Sequence, residues 1–306
     1  MKNSIHLKYL IVNESDQLWG LTINSVGYQS ITPQTVYPPR NHPTRYLFST
    51  ERGRILDEYQ LLYITKGSGK FISNSIETKK FQSVKDGIIF LLFPGEWHNY
   101  MPDKNTGWDE YWIGFNGINI DNRVANGFFN QKKPIFQVGL NDQIVALYKQ
   151  AIEIAAEQKS GFQQMLAGIV NHLLGLAYSL DKNYSYEGSE VINHVNKAKI
   201  LILENFRDIK PKDIANELNM SYSSFRKVFK EYTGFAPLQY IQELKIQKSK
   251  ELLTNTAIPV KEIAYLMGFE NQEYFFTAFK KKTNITPLEH RKFTQGVWED
   301  KTNNGF

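Results

Sequence analysis

The sequence predicts an α+β multidomain chain, with a strand-rich first half closed as a barrel and followed by a helical hairpin, and an all-helical second half. Three observations carry this. The length of 306 residues suits two domains, and 42% hydrophobic residues with 14% aromatics are ample for two packed cores. Between residues 55 and 115, short runs rich in Ile, Leu, Tyr, Phe and Trp are separated by glycine turns, the pattern of a barrel or sandwich. From residue 190 onward the apolar period becomes helical, and one segment of about 50 residues occurs twice.

Composition narrows the function classes. The net charge is +5 and there is no cysteine, which excludes disulfides, thiolate metal sites and cysteine nucleophiles. No apolar run approaches the roughly 20 residues that span a bilayer. The start, MKNSIHLKYLIVNES, lacks the uninterrupted apolar core of a secretory signal, so a cytoplasmic protein with no membrane partner is expected.

From Met1 to Thr50 the chain is rich in Pro, Thr, Asn and Tyr, and Pro33, Pro38, Pro39 and Pro43 predict an extended arm without helix. Strands are predicted in ILDEYQLLYIT, KFISN, SIETKKF, GIIFLLFP and WDEYWIGF, with turns at GSG, DG and PGEW. In the last of these, alternation puts Trp108, Glu110 and Trp112 on one face, a carboxyl between two indoles. A buried Glu is costly unless it has a partner. Carboxyl, guanidinium and flat aromatic surfaces together suit a small polyhydroxylated ligand such as a sugar, because charged groups bond hydroxyls and indole faces cover C–H patches. His98 stands alone, so neither a metal, a cofactor nor a catalytic set is expected.

Residues 141–181 predict two helices broken at Lys159-Ser160-Gly161. On the second, Phe162, Leu166, Ile169, Leu173, Leu176 and Leu180 form a heptad seam that Met165, Val170, Leu174 and Ala177 widen, enough to serve both the barrel and a second subunit. A homodimer is expected. The polar stretch 182–189 predicts a linker, and residues 296–306 a disordered tail.

Between Pro259 and Arg291 the residue types describe two helices joined by a tight corner. Val260, Ile263, Ala264 and Met267 form one apolar stripe, Gly268 ends that helix and Asn271 caps the next. On the second helix Phe275, Phe276 and Phe279 point inward, leaving Gln272, Glu273, Thr277, Lys280 and Lys281 on other faces. One copy alone could be a corner in a larger bundle. Here Ile214-Ala215, Phe225, Phe229-Lys230 and Pro237 recur as Ile263-Ala264, Phe275, Phe279-Lys280 and Pro287, and the helix from Leu238 to Thr256 joins the two copies. Such a connector is close in length to one turn of B-DNA, so two recognition helices can enter adjacent major grooves. From Glu190 onward 18 Lys and Arg face 14 Asp and Glu, a modest surplus that agrees with nucleic acid.

Through these residues, and through Gly268-Phe269, Tyr274-Phe275, Lys281 and Thr286-Pro287, residues 190–295 resemble the DNA-binding domain of the AraC/XylS family of bacterial transcription regulators. Three positions depart from the family pattern: Asn284 at the usual glycine, His290 at the usual aromatic and Thr277 at the usual arginine. The spacing of Lys66-Gly67-Ser68-Gly69, Asp86-Gly87 and Pro94-Gly95-Glu96-Trp97-His98 resembles the cupin barrel that precedes this domain in many such regulators, here spanning residues 1–181. The resemblance implies a ligand-responsive activator of carbohydrate-utilisation genes that binds promoter DNA and RNA polymerase. Alignment with the arabinose-responsive member places the ligand contacts on Arg52, Tyr100, Glu110 and Trp112, and Tyr46 joins them as a nearby aromatic. The DNA contacts implied are Ser221, Tyr222, Ser223, Arg226, Lys227 and Lys230 in the first copy, and Asn271, Gln272, Glu273, Thr277, Lys280 and Lys281 in the second. Two alternatives stay open: a cupin-type enzyme such as an isomerase fused to a DNA-binding domain, and a barrel that only dimerises, with Arg52 and Glu110 simply paired.

Overall fold

The computed structural model describes residues 5–38, 49–184 and 190–296. It divides into two compact units, Met1–Glu187 and Gly188–Phe306. Among the described residues no helix is long and apolar enough to cross a membrane.

The first unit is strand-rich. Its strands are β1 (Ile5–Tyr9), β2 (Thr22–Ile31), β3 (Arg54–Ile55), β4 (Tyr59–Ser73), β5 (Gln82–Lys85), β6 (Ile88–Leu92), β7 (Trp97–Pro102), β8 (Trp108–Asn116) and β9 (Ile135–Gln137). All pairings are antiparallel. The large layer runs β1-β2-β8-β4-β6-β9. Beyond Gly67, β4 leaves it to pair with β5 and β7, and β3 extends this smaller layer. The register slips between Ile64 and Lys66, so the strand bends there and runs on through Gly67-Ser68-Gly69, where a turn was expected.

Pleating gives β4, β6 and β8 two apolar faces. Leu62, Ile64, Phe90, Leu92, Trp108 and Trp112 fill the barrel. Leu61, Tyr63, Ile89, Leu91, Tyr111, Ile113 and Phe115 face outward and pack with the hairpin of α3 (Asp142–Glu157) and α4 (Phe162–Tyr184), broken where the sequence predicts. Gln163 of α4 fixes the hairpin to β2, donating to the Ile23 carbonyl and accepting from its N–H, both at 2.9 Å.

Several expectations need correction. The segment read as an arm carries β1, the helix α1 (Glu14–Leu18) and β2; every proline named lies after β2, and α1 starts on an Asn13–Asp16 capping box. Its remaining residues 39–48 lie outside the described residues. SIETKKF is largely a turn stretch whose Ile76 plugs the barrel, and β7 and α2 (Ile118–Ala125) were unforeseen. The seam expected to serve both the barrel and a second subunit packs on the barrel: Leu166, Ile169 and Leu173 are buried, Phe162, Leu176 and Leu180 pack on the same cluster, and of the widening residues Met165 stays exposed. A stripe that fits a helix fits a sheet face equally well. Of the expected linker, residues 182–184 belong to α4, and 185–189 lie outside the described residues, as does the expected tail beyond Gly296.

The second unit holds α5 (Glu190–Asn205), α6 (Pro211–Glu217), α7 (Tyr222–Thr233), α8 (Pro237–Asn255), α9 (Val260–Leu266), α10 (Gln272–Thr283) and α11 (Pro287–Thr294). It has two small cores. Phe225 and Phe229 anchor the first, and Phe275 and Phe279 the second. The connector α8 gives Ile241 to one, Ile246 and Leu253 to the other, while Phe206 touches both. Lys245 on α8 donates to the carbonyls of Arg207 and Gly268, each at 3.0 Å, tying the loop before α6 to the corner after α9. At that corner Gly268 has φ +67°, and a Cβ would meet the Arg207 oxygen at 2.3 Å, so glycine is required twice over. Asn284 takes the left-handed cap that Gly234 takes in the first copy.

Candidate functional site

The polar cluster inside the barrel is built by four strands, β2, β3, β7 and β8. β8 presents Trp108, Glu110 and Trp112, and the β2 residues opposite them are Ile31, Gln29 and Gly27. Gly27 makes room for an indole, since a Cβ there would lie 2.4 Å from a ring carbon of Trp112. From the smaller layer Arg54 enters on β3, donating Nη2 to Tyr100 Oη at 2.7 Å and Nε to His98 Nε2 at 3.3 Å. His98 Nδ1 lies 3.1 Å from the Glu96 carbonyl, so Nδ1 carries the proton and Nε2 accepts. Burial, then the Arg54 charge, push the His98 pKa down to about 3, keeping the ring neutral and in place to hold the guanidinium.

Glu110 is 3% exposed. Burial raises its carboxyl to about 8, with the Arg54 charge opposing and Trp108 lowering it slightly, so the neutral acid dominates at pH 7. Glu110 Oε2, Gln29 Oε1 and Trp108 Nε1 are buried with no hydrogen-bond partner. The indole N–H is near enough to Glu110 to act on it electrostatically without a bond of normal geometry. The directly paired Glu110 and Gln29, with Trp108 next along the same face of β8, therefore offer a carboxyl that donates or accepts, an amide acceptor and an N–H donor. Hydroxyl groups, which both donate and accept, complete such a set. Tyr37 stands edge-on to Trp108 and shares, with Ile31, the wall of a cavity of about 340 Å³ that Thr50, Met101 and Gly107 also line.

Tyr100, Glu110 and Trp112 are thus brought together as the alignment placed them, and Arg52 is not. Its side chain is exposed in the turn between Ser49 and Gly53, where its N–H donates to the Ser49 carbonyl at 3.0 Å and its carbonyl accepts from Trp97 Nε1 at 2.9 Å. The cluster's arginine is Arg54, which sequence reasoning missed. Its signal was weak: Gly53 closes the turn, so the next residue begins a strand facing inward while Ile55 faces out, 61% exposed. Tyr46 lies outside the described residues. Among the described residues no three His, Asp or Glu side chains gather as metal ligands.

In the second unit the corresponding helices are α7 and α10. Opposite buried Phe225 and Phe229, α7 exposes Ser223, Arg226, Lys227 and Lys230; Tyr222 is also exposed and Ser221 caps the helix by accepting from Ser224 N at 3.2 Å. On α10, Glu273, Thr277, Lys280 and Lys281 are exposed, Gln272 is half-buried, and Asn271 caps by accepting from Tyr274 N at 2.7 Å. The hydroxyl of Thr277 donates to the Glu273 carbonyl at 3.0 Å. The position that holds Arg226 in α7 holds the half-buried Phe276 in α10. The first helix therefore carries cations along its middle, the second only near its end, where Lys282 is paired with Glu243.

Comparison with known proteins agrees with this division. Residues 23–174 match the model of the AraC-like ligand binding domain, and residues 214–292 that of a helix-turn-helix domain. The chain is 29% identical over 288 residues to the HTH-type transcriptional activator RhaS of Escherichia coli, covering 89% of this chain and 94% of that one. It is 25% identical over 251 residues to the raffinose operon transcriptional regulatory protein RafR of Pediococcus pentosaceus, with 80% and 88% covered. With the lactose operon transcription activator of Staphylococcus xylosus it shares 26% identity over 238 residues, with 74% and 81% covered. A barrel domain that matches the model of the family's ligand-binding domain, followed by paired helix-turn-helix units, places this chain in the AraC family of transcriptional regulators, to which it belongs.

Proposed function

We propose that the chain is a sugar-responsive transcription activator of carbohydrate-utilisation genes, with the sugar held inside the barrel between Trp108 and Trp112. The observation that carries it is the run of unpartnered buried polar atoms on Glu110, Gln29 and Trp108 beside the Arg54–Tyr100 pair. A closed structural core seldom leaves several such groups unpaired side by side, because each costs about 1 to 3 kcal/mol; a site that ligand hydroxyls complete does. Relatives named for raffinose and lactose operons support a saccharide, and two named as activators support the direction. Contact with RNA polymerase and a homodimer belong to the same proposal. The expected DNA contacts on α7 and α10 remain part of it, with Arg226 reading a base and Lys280 and Lys281 holding phosphates.

Calorimetry on the full chain with raffinose, lactose, galactose and glucose tests the pocket. One of these sugars should bind saturably, and Trp112→Ala should weaken it by tenfold or more while promoter binding by the sugar-free protein persists. Sugar binding untouched by both Trp112→Ala and Glu110→Gln, or absent for the whole panel, would remove the barrel interior as the effector site.

A further inference from the structure

We propose that a groove between α2 and α4, on the helical side of the first unit, is a second small-molecule site built for an amino or hydroxy acid with an apolar side chain. On α4, Asn171, Leu174, Gly175 and Tyr178 fall at i, i+3, i+4 and i+7 and form one stripe. Facing it stand Arg123, in the last turn of α2, and Phe128, whose N–H donates to the Arg123 carbonyl at 2.9 Å. Together with Phe129 these residues enclose about 300 Å³, at the lower end of the range for ligand pockets.

Two polar atoms in this groove are buried and unpaired: Arg123 Nη1, a cationic donor, and Asn171 Oδ1, an acceptor. Leaving part of a guanidinium desolvated without a partner is unfavourable, more so than for a neutral group. The acids carried by α2 and α4, one on each helix, are engaged elsewhere. Asp121 accepts from Tyr59 Oη at 3.0 Å, and Asp181 from Lys133 Nζ at 3.0 Å and from Gln137 N at 2.8 Å. Among the described residues Arg123 has no carboxylate partner. Lys182, 4.5 Å from the Tyr178 ring centroid, adds positive potential at the end of the groove.

The apolar walls are also left open. Phe128 is 52% exposed, with its ring centroid 5.6 Å from that of Tyr178. Gly175 lies in mid-helix, where glycine is unfavourable, and a Cβ built there meets no atom within 4 Å. Nothing within the unit demands a glycine at that point, and a larger side chain would fill the groove. A carboxylate for Arg123, a neighbouring N–H or O–H for Asn171 and an apolar body for the rings complete every open valence at once. The negative charge required separates this ligand from the neutral sugar proposed for the barrel.

Titration calorimetry of the full chain with L-phenylalanine, 3-phenyllactate, 3-phenylpropionate and phenethylamine tests it. Phenylalanine or phenyllactate should bind saturably, phenylpropionate more weakly because it cannot donate to Asn171, and phenethylamine not at all. Arg123→Gln should weaken binding about tenfold or more, the worth of one charge-assisted contact. Gly175→Leu, which the helix tolerates, should abolish it without changing the melting temperature or promoter binding. No saturable binding by either donor-bearing acid, or binding indifferent to both substitutions, overturns the site. Equal affinity for phenylpropionate overturns the amino or hydroxy acid assignment.

Discussion

The barrel interior and the two helix-turn-helix cores are buried to a similar degree and are finished differently. Among the described residues, seven of the eight with a buried, unpaired side-chain polar atom lie in the first unit, and the second has only His290, whose ring stands edge-on to Phe279. In the helical cores the buried groups are aromatic and aliphatic, and the fully buried Ser249 donates to the Lys245 carbonyl at 2.7 Å. One region is closed on itself and works through its outer faces. The other is held open in hydrogen-bonding terms, and work is to be sought inside it. Proteins give up stability where they function, so the two interiors should respond to substitution with opposite sign.

The largest effect belongs to the closed core. Phe229→Ala should destabilise the second unit by about 3 to 5 kcal/mol, leaving a cavity that small helices cannot close, and promoter binding should fail with it. A urea titration showing less than about 1 kcal/mol lost would mean that the core is looser than its burial indicates.

In the barrel, Glu110→Gln should do the reverse. Burial raises the carboxyl from its ordinary 4.5 to about 8, so the folded chain takes up a proton between those values. The cost to stability is absent below about pH 4.5, grows as pH rises and is complete above about pH 8. The amide should stabilise the first unit by on the order of a few kcal/mol at pH 8 and hardly at all at pH 5, read from melting temperatures across that range. A pH-independent gain would mean that Glu110 does not titrate there.

Smaller effects concern the outer faces. Arg226→Ala should cost about 1 to 3 kcal/mol at one base pair and relax preference there, because its counterpart in α10 is Phe276 and cannot replace it. An unchanged preference across a site library would assign Arg226 to phosphate. Replacing Lys280 and Lys281 by Ala should weaken specific and random DNA alike, lowering the salt slope by about 0.9 per lost contact. If affinity and slope both hold, that end of α10 faces solvent.

The helical half was legible because its constraints are local and repeated: a cap, an apolar stripe, a left-handed stop, then the same again. Even the departure at Asn284 followed from what a left-handed cap accepts. The barrel was legible where alternation ran unbroken, which is why Trp108, Glu110 and Trp112 were found on one face. It was opaque at β2, whose TINSVGYQSI is too polar to announce a strand that is paired on both sides in the sheet. It was opaque also at Arg54, because the facing of a residue after a tight turn depends on how the turn closes. Gln29 and Arg123 could not be singled out, since lacking a partner is a property of the packed state.

The tie made by Lys245, with Phe206 lodged in both cores, has a consequence for the promoter. A pair of readers joined without a hinge imposes its own helical phase on the double helix. The connector α8 rises about 28 Å along its 19 residues, a little short of one turn of DNA. Adding about five base pairs between the two half-sites would carry the second to the opposite side of the duplex. Binding to a series of spacer lengths should recur with a period of roughly 10 base pairs, and a broad tolerance of spacing would show that the two readers move independently.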